Sequence, residues 1–186
     1  MAKNFSITDT NNNYVLDIDF EVQDSAWEEK LENLTDWSIK VAKEALHKIG
    51  LTKYVDHIEL SIILTDNSSI QKLNLQYRGK DKATNTLSFP AQDIKVNQLE
   101  LFKFQDKFIM LGDIIFAHKI VEDEALNQGK LFNNHFAHLL IHGILHLLGY
   151  DHQSEKEAMI MENIETEILS TLSIKSPYEA SSSEHK

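Results

Sequence analysis

A chain of 186 residues with 42% hydrophobic content is long enough for one globular domain with a substantial core. It has no cysteine, which excludes disulfides and thiolate metal ligands and leaves histidine and carboxylate as possible ligands. Its formal charge of −11 makes the molecule as a whole repel a polyanion, so any contact with nucleic acid must come from a local basic segment.

Residues 1–9 show no apolar signal core, and no run of about 18 apolar residues could span a bilayer, which points to a cytosolic protein. The asparagines at 11–13 read as a turn, and residues 14–22 alternate apolar and polar as a strand does. With Asp24 or Ser25 as N-cap, Trp27, Leu31, Leu34, Val41, Ala45 and Ile49 recur at helical spacing until Gly50 ends the helix. Residues 57–64 form a second alternating strand. Asp66 and Ser68 can cap a shorter helix through Leu75, which delivers Arg78 just past its end.

Residues 86–89 read as a short strand stopped by Pro90, and residues 91–107 as a long polar loop. Residues 108–117 are the strongest remaining β signal, with a bulge expected at Gly112-Asp113. Helices follow over 118–127, 131–148 and 154–172. Met159 and Met161, with Ile160, Ile164 and Ile168, read as core residues of the last helix. The expected organisation is one catalytic domain over 1–175 and a disordered tail over 176–186. The fold class is α+β, a small mixed sheet packed by helices, with a histidine-bearing helix beside a cleft.

Five of the nine histidines fall within residues 135–152. His142 and His146, four apart on a helix, can aim their imidazoles at one point. Gly149 can take the positive φ that ends a helix, so that the chain turns back and His152 approaches from the side. Three neutral imidazoles leave one position of a tetrahedral zinc ion open to water, as in catalytic rather than structural sites. His135 and His138 extend the same helical face, but His138 and His146 start ~12 Å apart along the axis, too far to share an ion. His142, His146 and His152 are therefore the expected ligands of one Zn2+ per chain. His47, His57 and His185 stand alone and carry no assigned chemistry.

The spacing His-x-x-x-His-x-x-Gly-x-x-His is also the zinc frame of metzincin proteases, whose first histidine is followed by a glutamate that acts as general base. Gly143 occupies that position, so a peptidase of that type would lack its proton acceptor. Arg78 is the one arginine among eighteen basic residues. Its planar fork can hold a phosphate through two parallel hydrogen bonds, which an ammonium cannot copy. It lies among Lys72, Lys80 and Lys82, the best local phosphate track in the chain.

The histidine run, the segment Leu73 to Pro90 (LNLQYRGKDKATNTLSFP) and Leu111-Gly112-Asp113-Ile114-Ile115 together resemble the YbeY family of bacterial metal-dependent endoribonucleases, over roughly residues 55–170. That resemblance implies a zincin-like domain and a single-strand-specific endoribonuclease. It further implies a role in ribosomal RNA processing, in 16S rRNA 3′-end maturation and ribosome quality control, with a zinc-bound water hydrolysing the phosphodiester. It makes His142, His146 and His152 the metal ligands and Arg78 the catalytic residue. Single-stranded and ribosomal RNA and a ribosome or ribosomal-protein partner are the implied partners, with no membrane and no DNA. One departure stands out: the family usually reads Thr-Asp-Val-Leu-Ser-Phe where this chain has Asn85 and Thr86, so no acid stands at 85. The alternatives are a zinc-dependent hydrolase of a peptide or amide, and a non-catalytic ribosome-associated factor with structural zinc. His138, Asp113 and Asp151 are the candidates for the general acid.

Overall fold

The computed structural model describes residues 2–10, 13–95, 99–100 and 104–178. In chain order the elements are β1 (Lys3–Asp9), β2 (Val15–Val22), α1 (Glu28–Ile49), β3 (His57–Thr65), α2 (Asn67–Arg78) and β4 (Thr86–Pro90). They continue with β5 (Phe108–Ala117), α3 (His118–Asn127), α4 (Phe132–Leu147) and α5 (Glu155–Thr171). The architecture is the expected α+β, with one mixed five-stranded sheet in the order β1-β2-β3-β5-β4. The inner pairs β2–β3 and β3–β5 are parallel, and the outer pairs β1–β2 and β4–β5 are antiparallel.

Alternation decides which face of the sheet is covered. Leu16, Ile18, Phe20 and Val22 of β2 and Ile58, Leu60, Ile62 and Leu64 of β3 are all buried in the main core with residues of α1, α4 and α5. Asp17, Asp19, Glu59 and Ser61 point the other way, onto a face that α2 covers only near β4 and the end of β5. β5 changes phase along its length. Ile109 and Leu111 are buried on odd numbers and Ile114 and Phe116 on even ones, and the β3–β5 register slips between Glu59↔Met110 and Ser61↔Asp113. The bulge expected at Gly112-Asp113 is the cause, and Gly112 adopts φ +128 there.

Four expectations change in detail. β1 is an element beyond those expected: its Phe5 and Ile7 give too short an alternation to mark a strand, and it forms by pairing with β2, with Phe5 stacked on Phe20 at 5.1 Å. α2 runs on through Arg78 to a left-handed Gly79, so the arginine is its last residue rather than one beyond its end. Of the two methionines in α5, Met161 is buried, but Met159 is 63% exposed and Ile160 45% exposed, so the buried stripe is Met161-Ile168-Leu169. Within the expected loop at 91–107, Ile94 and Leu99 are buried, and residues 96–98 and 101–103 lie outside the described residues.

Of the expected tail, residues 176–178 are placed against α5, where Ser176 Oγ is 2.9 Å from Thr166 Oγ1, and residues 179–186 lie outside the described residues. The same is true of Asn11 and Asn12 of the expected turn. Among the described residues no helix is long and apolar enough to cross a membrane.

Candidate metal centre

α4 positions the first two histidines. It is the most buried helix, and it approaches the sheet so closely that a Cβ on Gly143 would meet the Ile114 side chain at 2.8 Å. Position 143 therefore packs onto β5, with no room for the glutamate of a metzincin. His142 and His146 lie about 100° and 60° around the helix from Gly143, on one flank of it, and face a cleft of about 680 Å³ between α4 and β4.

The helix ends in a Schellman turn: Tyr150 N–H donates to Leu145 O and Gly149 N–H to His146 O, each at 3.1 Å. Gly149 has φ +81, and a Cβ there would sit 2.1 Å from Ile94 O. This turn does two things. It swings His152 back to within 5.4 Å of His142 and 4.9 Å of His146, ring centre to ring centre. It also aims Tyr150 O at His146 Nδ1, 3.0 Å away.

One ligand atom from each of His142, His146 and His152 lies within 4.8 Å of the others. The rival helical set does not converge. His135 is buried and bonded to Glu124 at 2.8 Å, and His138 Nε2 faces Glu165 at 3.1 Å.

The hydrogen bonds settle which ring nitrogens are bare. A carbonyl only accepts, so His146 Nδ1 donates to Tyr150 O. His142 Nδ1 lies 2.8 Å from Glu165 Oε1. Burial alone would raise the Glu165 pKa, but hydrogen bonds from His138 and His142 work against it and favour the ionised carboxylate. Glu165 is thus an acceptor and His142 Nδ1 the donor. In the neutral rings both Nε2 atoms then carry lone pairs, and they face each other at 3.0 Å.

That contact is repulsive unless a proton or a cation lies between the two nitrogens. Burial, reinforced by His142 and then His152, lowers the His146 pKa to about 4, which disfavours the proton at neutral pH. Two nitrogens ~2.05 Å from a tetrahedral ion stand roughly 3.3 Å apart, so the donor set fits a zinc-like cation.

Glu165 lies outside the sequence motifs that mark the site. It is completely buried, and the signal was available: it occupies the apolar helical stripe with Met161, Ile168 and Leu169, where an acid is out of place.

Arg78 lines the same cleft, at the end of α2 where Gly79 N–H donates to Leu75 O and Asn74 Nδ2 to Lys82 O at 2.7 Å. Among the described residues it has no acidic partner within salt-bridge distance, so its guanidinium is not spent on a surface ion pair. Lys80 lines the cleft beside it. Of the general-acid candidates only Asp151 is there; Asp113 is exposed on β5 opposite Phe89, and His138 is bonded to Glu165.

The opposite wall is the outer edge of β4, which pairs with no further strand among the described residues. Asn85 O and Ala91 N bond to β5, so by alternation Ser88, between them, turns its own N–H and C=O away from β5, towards the cleft. Asn85 ties this strand to α3: its Nδ2 donates to Glu124 Oε1 and Oε2 at 3.2 and 3.0 Å, while its Oδ1 accepts from Thr86 N–H at 2.6 Å.

A second group with ligand-like spacing, Asp17, His57 and Glu59, lies on β2 and β3. His57 Nε2 is 2.6 Å from Asp17, which also accepts from Thr8. These contacts make a hydrogen-bonded cluster that depends on β2 lying beside β3, which sequence alone does not reveal.

A family model described as Endoribonuclease YbeY matches residues 18–173. An Endoribonuclease YbeY of Bartonella henselae is 42% identical over 166 residues, covering 88% of this chain and 98% of that protein. One from Rhizobium johnstonii is 42% identical over 167 residues, covering 88% and 94% respectively. A solution structure from Thermotoga maritima is similar at 26% identity, with 91% and 99% coverage and a TM-score of 0.47.

Proposed function

The chain belongs to the endoribonuclease YbeY family, and from that membership we propose that it is a metal-dependent hydrolase that cleaves single-stranded RNA in ribosomal RNA processing, at the cleft between α4 and β4. The observation that carries this reading is the pair of bare Nε2 atoms of His142 and His146, 3.0 Å apart beside His152, in the same cleft as Arg78, which has no acidic partner among the described residues. His142, His146 and His152 hold the ion, which we assign as Zn2+ from its three imidazole ligands. A bound zinc ion supplies Lewis acidity towards water and towards a phosphoryl oxygen.

The remaining steps belong to the chain. Arg78 grips the scissile phosphate and neutralises the charge that grows on its oxygens, with Lys80 extending the positive wall. The outward N–H and C=O of Ser88 offer hydrogen bonds to an RNA strand, and they suit a single strand because its base edges are unpaired. Asp151, fixed by accepting from His152 N–H at 2.8 Å and from Gln153 Nε2 at 2.7 Å, is the acid–base group of the cleft.

A peptidase reading is disfavoured because position 143 is filled by the packing of α4 on β5. A structural zinc reading is disfavoured because, among the described residues, the cluster offers three ligands, one of them on exposed His152. The net charge of −11 gives no long-range attraction to RNA, which favours delivery to the substrate by a ribosomal-protein partner.

The test is cleavage of a short single-stranded RNA by wild type, His146→Ala and Arg78→Ala in the presence of zinc. His146→Ala is expected to abolish activity, and Arg78→Ala to reduce it by about 10²–10³-fold, as expected for removal of one stabilising donor. Activity that survives both substitutions removes the proposed site.

A further inference from the structure

The carboxylate of Glu165 is completely buried and holds three donors at once: His142 Nδ1 on Oε1 at 2.8 Å, and His138 Nε2 and the Tyr178 hydroxyl on Oε2. The first two donors lie on α4, inside the residues matched by the family model. Tyr178 lies beyond them, since the match ends at residue 173. It reaches the site because the chain turns back after α5, where Ser176 Oγ pairs with Thr166 and also accepts from Tyr178 N–H at 3.2 Å. The tyrosine ring packs edge-on against His138, with centroids 5.7 Å apart. It also walls a small cavity of about 170 Å³ behind His142 and His152.

We propose that Tyr178 is a positioning residue for the metal centre: its hydroxyl clamps Glu165, and Glu165 in turn fixes the ring orientation and tautomer of His142. This inference rests on the reading of His142, His146 and His152 as metal ligands. Its physical basis is that a carboxylate oxygen held by two donors cannot swing, so the other oxygen keeps its line to His142 Nδ1. Groups that orient a ligating histidine typically control metal affinity 10–100-fold. A residue one bond further out is expected to act more weakly and only through Glu165. Tyr178 thus adds, from outside the family's matched region, a third hydrogen bond to the group that aims the ligand.

The experiment measures zinc affinity by chelator competition, and the visible spectrum of the cobalt-loaded protein, for the full chain, Tyr178→Phe, Glu165→Gln and the double variant. Tyr178→Phe keeps the ring packed on His138 and is expected to weaken zinc about threefold to tenfold and to shift the cobalt bands. Glu165→Gln is expected to weaken zinc about 10–100-fold, with no further loss in the double variant. Affinity within twofold of wild type together with unshifted bands for Tyr178→Phe overturns the proposal, as does a loss that adds undiminished to that of Glu165→Gln. A lower melting temperature of the metal-free Tyr178→Phe protein with unchanged affinity also overturns it, because the contact would then be structural only. Wild type that binds no zinc overturns this inference and the metal centre together, whereas equal affinities overturn this inference alone. Should Glu165→Gln not fold, the comparison of Tyr178→Phe with wild type decides.

Discussion

Two of the three histidines of the proposed centre, His142 and His146, are specified by what their other nitrogen touches. His146 is held by a carbonyl from its own helix terminus, and His142 by a carboxylate from α5. The two therefore share a tautomer for unrelated reasons. The same logic applies to Asn85, where this chain departs from the usual family acid. Its amide donates to both oxygens of Glu124, so a carboxylate at 85 would set two like charges at the 3.0–3.2 Å that the amide now bridges. Asn85→Asp is expected to destabilise the protein by about 1–3 kcal/mol at pH 7. Urea unfolding of wild type and variant at pH 7 measures the loss. The spacing of His142, His146 and His152 was legible in the sequence because helix periodicity and one glycine determine it. The stripe of α5 marks Glu165 as a buried acid, but its role was not legible because its partners come from a different helix.

At the scale of elements, the termini of the helices carry the site. α2 ends at Gly79 and leaves Arg78 on the cleft, and α4 ends at Gly149 and returns His152 to the face it had left. Gly149→Ala would force a side chain into a left-handed conformation at a cost of ~1–2 kcal/mol, and its Cβ would meet Ile94 O at 2.1 Å. The expected outcome is a lower melting temperature together with weaker zinc binding, because the turn that delivers His152 must shift; calorimetry and chelator competition read the two effects separately. The helices α3, α4 and α5 were legible to within a residue or two from apolar periodicity and caps; Ser154, for example, forms a full capping box with Glu157. β1 was not, because an edge strand takes half of its definition from the strand it pairs with.

For the whole molecule, stability is tied to pH through the buried histidines. The His146 pKa is about 4 when folded against an ordinary 6.5, so between those values the unfolded chain binds a proton that the folded one refuses. This contribution is fully present above pH 6.5 and is lost as pH falls towards 4. Burial lowers the pKa of His118 and His135 as well, which adds in the same direction. Thermal melts of the zinc-free protein are therefore expected to fall steadily from pH 7 to pH 4, by on the order of 3 kcal/mol for His146 alone, and His146→Gln should flatten that slope. Zinc should raise the melting temperature only at the upper end, where the imidazoles are free to bind it.

What the sequence determined by itself is local: a pattern of one helix turn, a glycine and a histidine, a lone arginine close to the end of a capped helix, and alternation strong enough to show a bulge at Gly112. These follow from backbone geometry within about ten residues, which the order of side chains encodes directly. Only the tertiary structure decided that β3 lies between β2 and β5, that Ser88 lies on the outer edge of β4 facing the histidines, and that Glu165 and Tyr178 stand behind His142. These facts depend on which distant segments share the core, and contacts of that kind leave no periodic trace in the chain.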